Sequence, residues 1–542
     1  MIAGNTCPEQ PIATIGTVHD QGGHPVTLTA DTRTSSGLYE KRWFALWSLC
    51  LSLLIVVVGN TSLNVVIPTL AKELDATNSQ LQWVVAIYSL VFAGLLFTSA
   101  AIGDRFGRKG SLQVGLVIFL IGSVLASQAH SMMQLILCRG LMGLAAAFVM
   151  PSTLSILVNI FPPQERQKAI AMWASVSGVG GTLGPIFSGW LLGHFWYGSV
   201  FLVNVPIIVL ALVSGGRLLP KSKDPSHGKL DPPGFILSTV GIVTLVFGLI
   251  QAPEKGWAST GTMLWFGAAA VLLLAFVGWE RRVKEPMLDV ALFKIPTFTT
   301  GTVGMILLFS AMYGAFFLQT QYFQLILGLS PLSASLRFLP MSPVMLILGF
   351  QTPKITARLG ANRCVGLGLA ILSSAMFTMR TMNANSPYIV PLVAFMLMAG
   401  GVALSVGPLT AAIMSAVPPR RAGMGSAMND ATRELGAALG VAVMGSIAAS
   451  HFATKVAGLL AGVGGDDRET ATSSLEGAVD LAERLTGAQA ENLLNGARQA
   501  FLDSLHLATT IGGVVALIAS VLVLRYLPRS VSHAGAEQGH HE

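Results

Sequence analysis

Fourteen separate stretches of this chain stay apolar for about 20 residues each, enough for an α-helix to cross the roughly 30 Å hydrocarbon core of a bilayer. They cover 43–68, 81–102, 111–129, 132–158, 168–192, 199–218, 233–251, 262–280, 298–321, 335–352, 364–381, 388–416, 422–450 and 507–527. Inside lipid each segment must satisfy its own backbone hydrogen bonds, so the expected fold class is an all-α polytopic membrane protein. Composition agrees: 11% of the 542 residues are charged, against roughly a quarter in soluble domains.

The net charge of +7 is unevenly placed. Arg105, Arg108, Lys109, Arg166, Lys168, Arg217, Lys221, Lys223, Lys229, Arg281, Arg282, Lys284, Lys354, Arg358 and Arg363 fall in alternate loops. The short loops between them hold only Lys72, Lys255 and Arg380. Cytoplasmic loops collect Lys and Arg, which puts both termini in the cytoplasm of a bacterial-type plasma membrane. The positive charge is then a product of topology, and no nucleic-acid partner is implied. Cys7, Cys50, Cys138 and Cys364 have no spacing that suits a disulfide or a zinc site, so no metal or cofactor is expected.

Between the second and third spans stands a charged turn, Gly103-Asp104-Arg105-Phe106-Gly107-Arg108-Lys109-Gly110. Glycines allow a tight connection, Asp104 can accept hydrogen bonds, and Arg105, Arg108 and Lys109 are expected to grip the cytoplasmic lipid surface. A plain basic loop explains the cations and leaves the carboxylate and glycines unexplained. Here the sequence resembles the major facilitator superfamily, whose signature at this place reads roughly Gly-x-x-x-Asp-Arg-x-Gly-Arg-Lys. The first glycine of that pattern is Ala100 in this chain.

Four further spans carry polar or small residues that lipid alone disfavours. In the first, Asn60 and Asn64 lie four apart on one helix face. They either line a cavity or bond a neighbouring helix. The stretch from Gly59 to Pro68 resembles the first-span motif of fourteen-span drug:proton antiporters, except that the family's aspartate is Gly59 here. In the fourth, Arg139 sits inside the apolar run, buried or snorkelling to the interface. It resembles a family arginine associated with proton transfer, and the glutamine usual three residues later is Met142. In the fifth, Gly180, Gly181, Gly184, Pro185 and Gly189 make faces that permit close helix contact and a bend. They resemble the glycine-proline motif found in exporters of the superfamily and largely lacking in its importers.

The thirteenth span places Asn429, Asp430, Arg433 and Glu434 near one helix face. Two carboxylates flanking one arginine cannot both pair fully, so one is free to hold a proton. The alternative is a salt-bridge network at the cytoplasmic interface. Related fourteen-span exporters carry acidic residues in this span. Gln319 near the outer end of the ninth span, which either lines a cavity or anchors at the interface, completes the substrate-cavity candidates with Asn60, Asn64, Met142 and Asn429.

The basic linker after Arg217 and a second basic loop at Arg281 divide the spans six, two and six. A degenerate echo of the charged turn, from Pro353 to Arg363, recurs where a duplicated six-span half would put it. The expected organisation is a disordered cytoplasmic tail (1–42), an N-terminal six-helix bundle (43–218), a linker with two extra helices (219–297), a C-terminal six-helix bundle (298–527) with an outer loop (451–505), and a second tail (528–542). Within that loop, apolar spacing from Ala478 to Leu505 suits either an amphipathic hairpin over the outer mouth or a passive, solvated loop.

No Gly-x-Ser-x-Gly, His-Glu-x-x-His or Gly-x-x-x-x-Gly-Lys-Ser/Thr pattern occurs, so neither an enzyme nor a nucleotide-driven pump is expected. The resemblance implies a proton-coupled exporter of amphipathic small molecules; the expected coupling residues are Asp430, Glu434, Arg433 and Arg139, and the chain is expected to be a monomer whose partners are substrate, protons and membrane lipid. A dedicated exporter of one metabolite, lipid or antibiotic, or a receptor or scaffold on the same fold, remains open.

Overall fold

In the computed structural model, the described residues are 32–529 apart from 64, 65, 67, 68, 71, 72, 75–77, 221–230, 284, 285, 419, 420, 461–463 and 487. Asn64 and the cations of the 221–230 linker lie outside them. Fourteen helices among these residues are long and apolar enough to cross a membrane. We number the main helices α1 (Thr32–Thr61), α2 (Asn78–Phe106), α3 (Arg108–Ser127), α4 (Met132–Ile160), α5 (Pro163–Leu192), α6 (Asn204–Leu218), α7 (Pro232–Lys255) and α8 (Thr260–Glu280). Then follow α9 (Pro296–Gln321), α10 (Met341–Leu359), α11 (Ala361–Met379), α12 (Ile389–Ser415), α13 (Ala422–Ala457) and α14 (Ala488–Tyr526).

Local chemistry sets several boundaries. Ser131 accepts from the Gln134 N–H at the start of α4, and Asp231 accepts from the Gly234 N–H at the start of α7, each satisfying a donor that a helix start leaves unpaired. Prolines open α5, α7 and α9, where a missing N–H costs nothing. The turns before α3 and α11 both use a glycine at positive φ, Gly107 at 122° and Gly360 at 89°. Side chains with a Cβ avoid that region. The degenerate echo of the charged turn therefore keeps its backbone while losing its aspartate.

In the first half, α1 packs on α5 and α6, α2 on α4, and α3 on α4 and α6; in the second, α9 packs on α13, α11 on α12 and α14, and α10 on α12. The halves meet where α5 lies against α10 and α12 and where α13 lies against α2 and α4. The α7–α8 hairpin sits outside this junction. Its α7 rests on α2 and α13, whereas α8 turns Leu264, Val271 and Leu274 outward. An apolar outer face on a spanning helix is what hydrocarbon surroundings require.

The segment between α13 and α14 has structure of its own. The expected loop 451–505 is largely helical: α13 runs on to Ala457, two short helices follow (Asp466–Ser473 and Leu475–Arg484), and α14 begins at Ala488. The polar Glu491, Asn492, Arg498 and Asp503 dilute hydropathy at the start of α14, so the apolar run in the sequence begins later than the helix. Leu493, Ala497, Ala500, Phe501 and Leu505 nevertheless keep a helical spacing and are all buried. The Leu475–Arg484 helix packs its apolar side on them, forming a hairpin with α14 as its second arm.

Candidate transport site

The charged turn is a contact between the two halves. Arg108 Nε lies 2.6 Å from Asp104 Oδ1, and both side chains are buried. The same oxygen accepts the Gly423 N–H at 3.3 Å, so the carboxylate sits at the N-terminus of α13, where unpaired N–H groups and the helix dipole favour an anion. A Cβ on Gly423 would overlap that carboxylate. Lys109 Nζ donates to the Gly216 and Leu219 carbonyls at the end of α6 (2.8 and 2.7 Å), and Arg105 lies over the Phe106 ring. This corrects the expectation of cations gripping lipid: Arg108 and Lys109 are engaged by protein, because helix ends here offer both a carboxylate and unpaired carbonyls. The segment after α8 reaches the same place, with the Asp289 N–H 3.4 Å from the Met424 sulfur.

Two to three turns further along α13, the polar residues meet at the junction of the halves. Asn429 accepts from the Thr410 hydroxyl of α12 at 2.9 Å and donates to Asp430 Oδ1 at 3.2 Å. Asp430 is 1% exposed, and its Oδ2 has no hydrogen-bond partner. Arg433 Nη1 stands 4.0 Å from Asp430 Oδ1, while Nη2 donates to Ser177 Oγ of α5 at 2.8 Å. The guanidinium also lies 4.9 Å from the Phe309 ring centroid and 5.7 Å from that of Trp173. Trp173 is itself held by the Thr153 hydroxyl of α4. Glu434 is half-buried and faces Tyr88 of α2 and Tyr313 of α9 closely enough to interact electrostatically.

Arg139 is completely buried, so it does not snorkel. It donates to the Gly59 carbonyl at 2.9 Å and the Val84 carbonyl at 3.2 Å, and its guanidinium lies 4.4 Å from the Tyr88 ring centroid. A Cβ on Gly59 would come within 2.8 Å of Phe119 Cζ and 3.7 Å of Met142 Cε. The position of the missing first-span acid is therefore filled by a ring, and Met142 is part of that filling.

The glycine-proline helix packs within its own half on one side and across the junction on the other. Gly180 lies against Leu54 and Val57, and Gly184 against Thr61, with the Ser62 hydroxyl donating to the Gly184 carbonyl at 3.3 Å. On the other side Gly189 meets Leu332. Gly181 faces open space, and Pro185 is accommodated inside α5. Asn60 is partly buried at the end of α1. Gln319 is buried with Nε2 3.6 Å from the Met382 sulfur, a contact internal to the second half.

Asp430, Arg433 and Glu434 thus lie together on α13, and Arg139 is held separately against Gly59, Val84 and Tyr88, whereas Met142, Gln319 and Asn429 are committed to packing or to neighbouring side chains. Ser177, Tyr88, Trp173 and Phe309 complete the cluster and carried no distinguishing signal. An aromatic or serine in an apolar span reads the same whether it faces lipid or an arginine.

Residues 49–441 match the sequence profile described as Major Facilitator Superfamily. The chain is 34% identical to "Multidrug efflux pump LfrA" of Mycolicibacterium smegmatis, over 92% of this chain and 98% of that protein. It is 30% identical to "Tetracenomycin C resistance and export protein" of Streptomyces glaucescens, over 90% and 92%. Among solved structures it resembles the human organic anion transporter MFSD10 (TETRAN), with a TM-score of 0.59 at 14% identity, covering 89% of this chain and 99% of that one.

Proposed function

The chain belongs to the Major Facilitator Superfamily, and from that premise we propose that it exports amphipathic small molecules, drugs among them, in exchange for protons. The two six-helix halves alternate in opening around a crevice at their junction. The observation that carries this reading is the α13 cluster. Buried Asp430, with one oxygen unpartnered, and half-buried Glu434 flank a single arginine that is bonded across to the other half. Groups that bind a proton at a moving junction can tie proton movement to the motion.

The driving force is adequate. An inward proton gains about 2.3 kcal/mol per 100 mV and about 1.4 kcal/mol per pH unit. For a neutral solute both terms count; for a monovalent cation exchanged one for one the voltage term cancels.

The charged turn acts in conformational change rather than in binding substrate. Both termini lie in the cytoplasm and the chain works as a monomer, with no cofactor, nucleotide or nucleic acid. Cysteines placed at Ser131 and Ser473 are expected to label from outside intact cells, and one at Ser222 from inside only.

The central test uses purified protein in vesicles with an imposed pH gradient, offered ethidium as an amphipathic cation and tetracenomycin C as an aromatic polyketide. Proton movement that depends on either compound supports the proposal; its absence with folded protein and a broad panel favours a receptor or scaffold. A response to one antibiotic class alone would favour a dedicated exporter, the reading suggested by the Streptomyces glaucescens relative.

A further inference from the structure

We propose that Ser177 is a positioning residue for proton exchange: by bonding Arg433 across the junction it holds the guanidinium away from Asp430 and leaves that carboxylate free to take a proton. This rests on the assignment of Asp430 to proton exchange made above.

An arginine three residues after an aspartate on one helix can close to ordinary charge-assisted contact, about 2.7–2.9 Å. Here the separation is 4.0 Å. Arg433 Nη1 and Asp430 Oδ2 are both buried without hydrogen-bond partners, although contact would satisfy them together. What opposes that contact is visible. Arg433 Nη2 is committed to Ser177 at 2.8 Å, and the Phe309 and Trp173 rings fix the guanidinium on the side facing α5.

Ser177 belongs to the first half and Arg433 to the second, so the bond lasts only while α5 and α13 stay together. When they part, Arg433 loses its competing acceptor and can move onto Asp430. A protonated Asp430 then gives its proton to water in the opened crevice and becomes the carboxylate that pairs with Arg433. One hydroxyl thereby makes proton occupancy depend on the arrangement of the halves. Among the described residues, the other charged or titratable groups around this pair are Glu434 on α13, Tyr88 of α2 and Tyr313 of α9, with Arg139 of α4 against Tyr88. At this level α5 and α12 present Ser177, Trp173 and Thr410, none of which titrates in the working range.

Trp173 gives a direct readout because its ring faces the guanidinium. The full-length protein in nanodiscs would be titrated with acid, taking wild type minus Trp173→Phe as the Trp173 fluorescence signal. Wild type is expected to show a titration that Asp430→Asn abolishes. Ser177→Ala, which frees Arg433 to close on Asp430, is expected to move the midpoint about 1 unit to lower pH, and Ser177→Thr to restore it. The pH profile of ethidium-dependent proton movement in vesicles should shift the same way. A titration abolished by Asp430→Asn but unmoved by Ser177→Ala, in signal and in transport profile alike, overturns the role of Ser177 and leaves the coupling assignment standing. A titration that survives Asp430→Asn removes both.

Discussion

Asp104, near the end of α2, accepts the backbone N–H of Gly423, the second residue of α13, across 319 positions of sequence. The bond joins the two halves and uses a helix start as the receptor for a carboxylate. Because Arg108 is buried on the same oxygen, the contact is an ion pair seated on a dipole rather than a lone hydrogen bond.

Replacing Asp104 with Asn keeps the shape and removes the charge. Substrate binding, read by fluorescence titration, is expected to stay within about threefold of wild type, while transport falls about tenfold or more, as losing one partner of a buried pair costs about 3–5 kcal/mol. Loss of binding in folded protein would place the turn in the substrate site instead.

Gly423→Ala tests the same contact from the other side. Its Cβ would overlap the Asp104 carboxylate and push it off the helix end with no change of charge. Transport is expected to fall as in Asp104→Asn, and the double variant to be no worse than either single one, since both remove one interaction. Additive losses would mean that the two residues act separately.

Asp430→Asn and Glu434→Gln, made singly, are expected to abolish proton-driven accumulation of at least one substrate while downhill exchange remains measurable. Proton uptake per substrate in vesicles between about pH 6 and 8 provides the check. A purely structural network gives another pattern: loss of folded protein, partly recovered when Arg433 is neutralised together with one acid.

The glycines of α5 are expected to differ sharply. Gly184→Ala drives a methyl into Thr61 and the Val58 carbonyl of α1, and should cost about 1–3 kcal/mol with a matching fall in melting temperature. Gly181→Ala meets nothing within 4 Å and should leave the melting temperature unchanged or slightly raised. Equal effects would show that α1 and α5 do not pack as described.

Span number and the polar cluster on α13 were legible because a charge inside an apolar run has so few physical explanations, whereas the sequence left Arg139 either buried or snorkelling. The partners were not legible. Asp104 meets Gly423, and Arg433 meets Ser177, through contacts between distant segments, and nothing local marks a serine in a glycine-rich stretch as the acceptor for an arginine more than 250 residues away. The start of α14 was missed for a different reason. Its first third buries apolar residues against the Leu475–Arg484 helix, and the polar residues interleaved with them lower the local hydropathy at the helix start.

The ring that fills the space beside Gly59 also restricts how this chain can vary. An aspartate at position 59 would have to enter where Phe119 is fully buried, so its charge would arrive together with a steric conflict. Substitutions at Gly59 and Phe119 are therefore expected to be epistatic: a library of single changes is expected to score position 59 as intolerant whatever the chemical merit of an acid beside Arg139. Only paired libraries that shrink Phe119 first would reveal whether a second carboxylate is useful to this protein, and the route between one-acid-cluster and two-acid-cluster sequences passes through a change in packing before any change in charge.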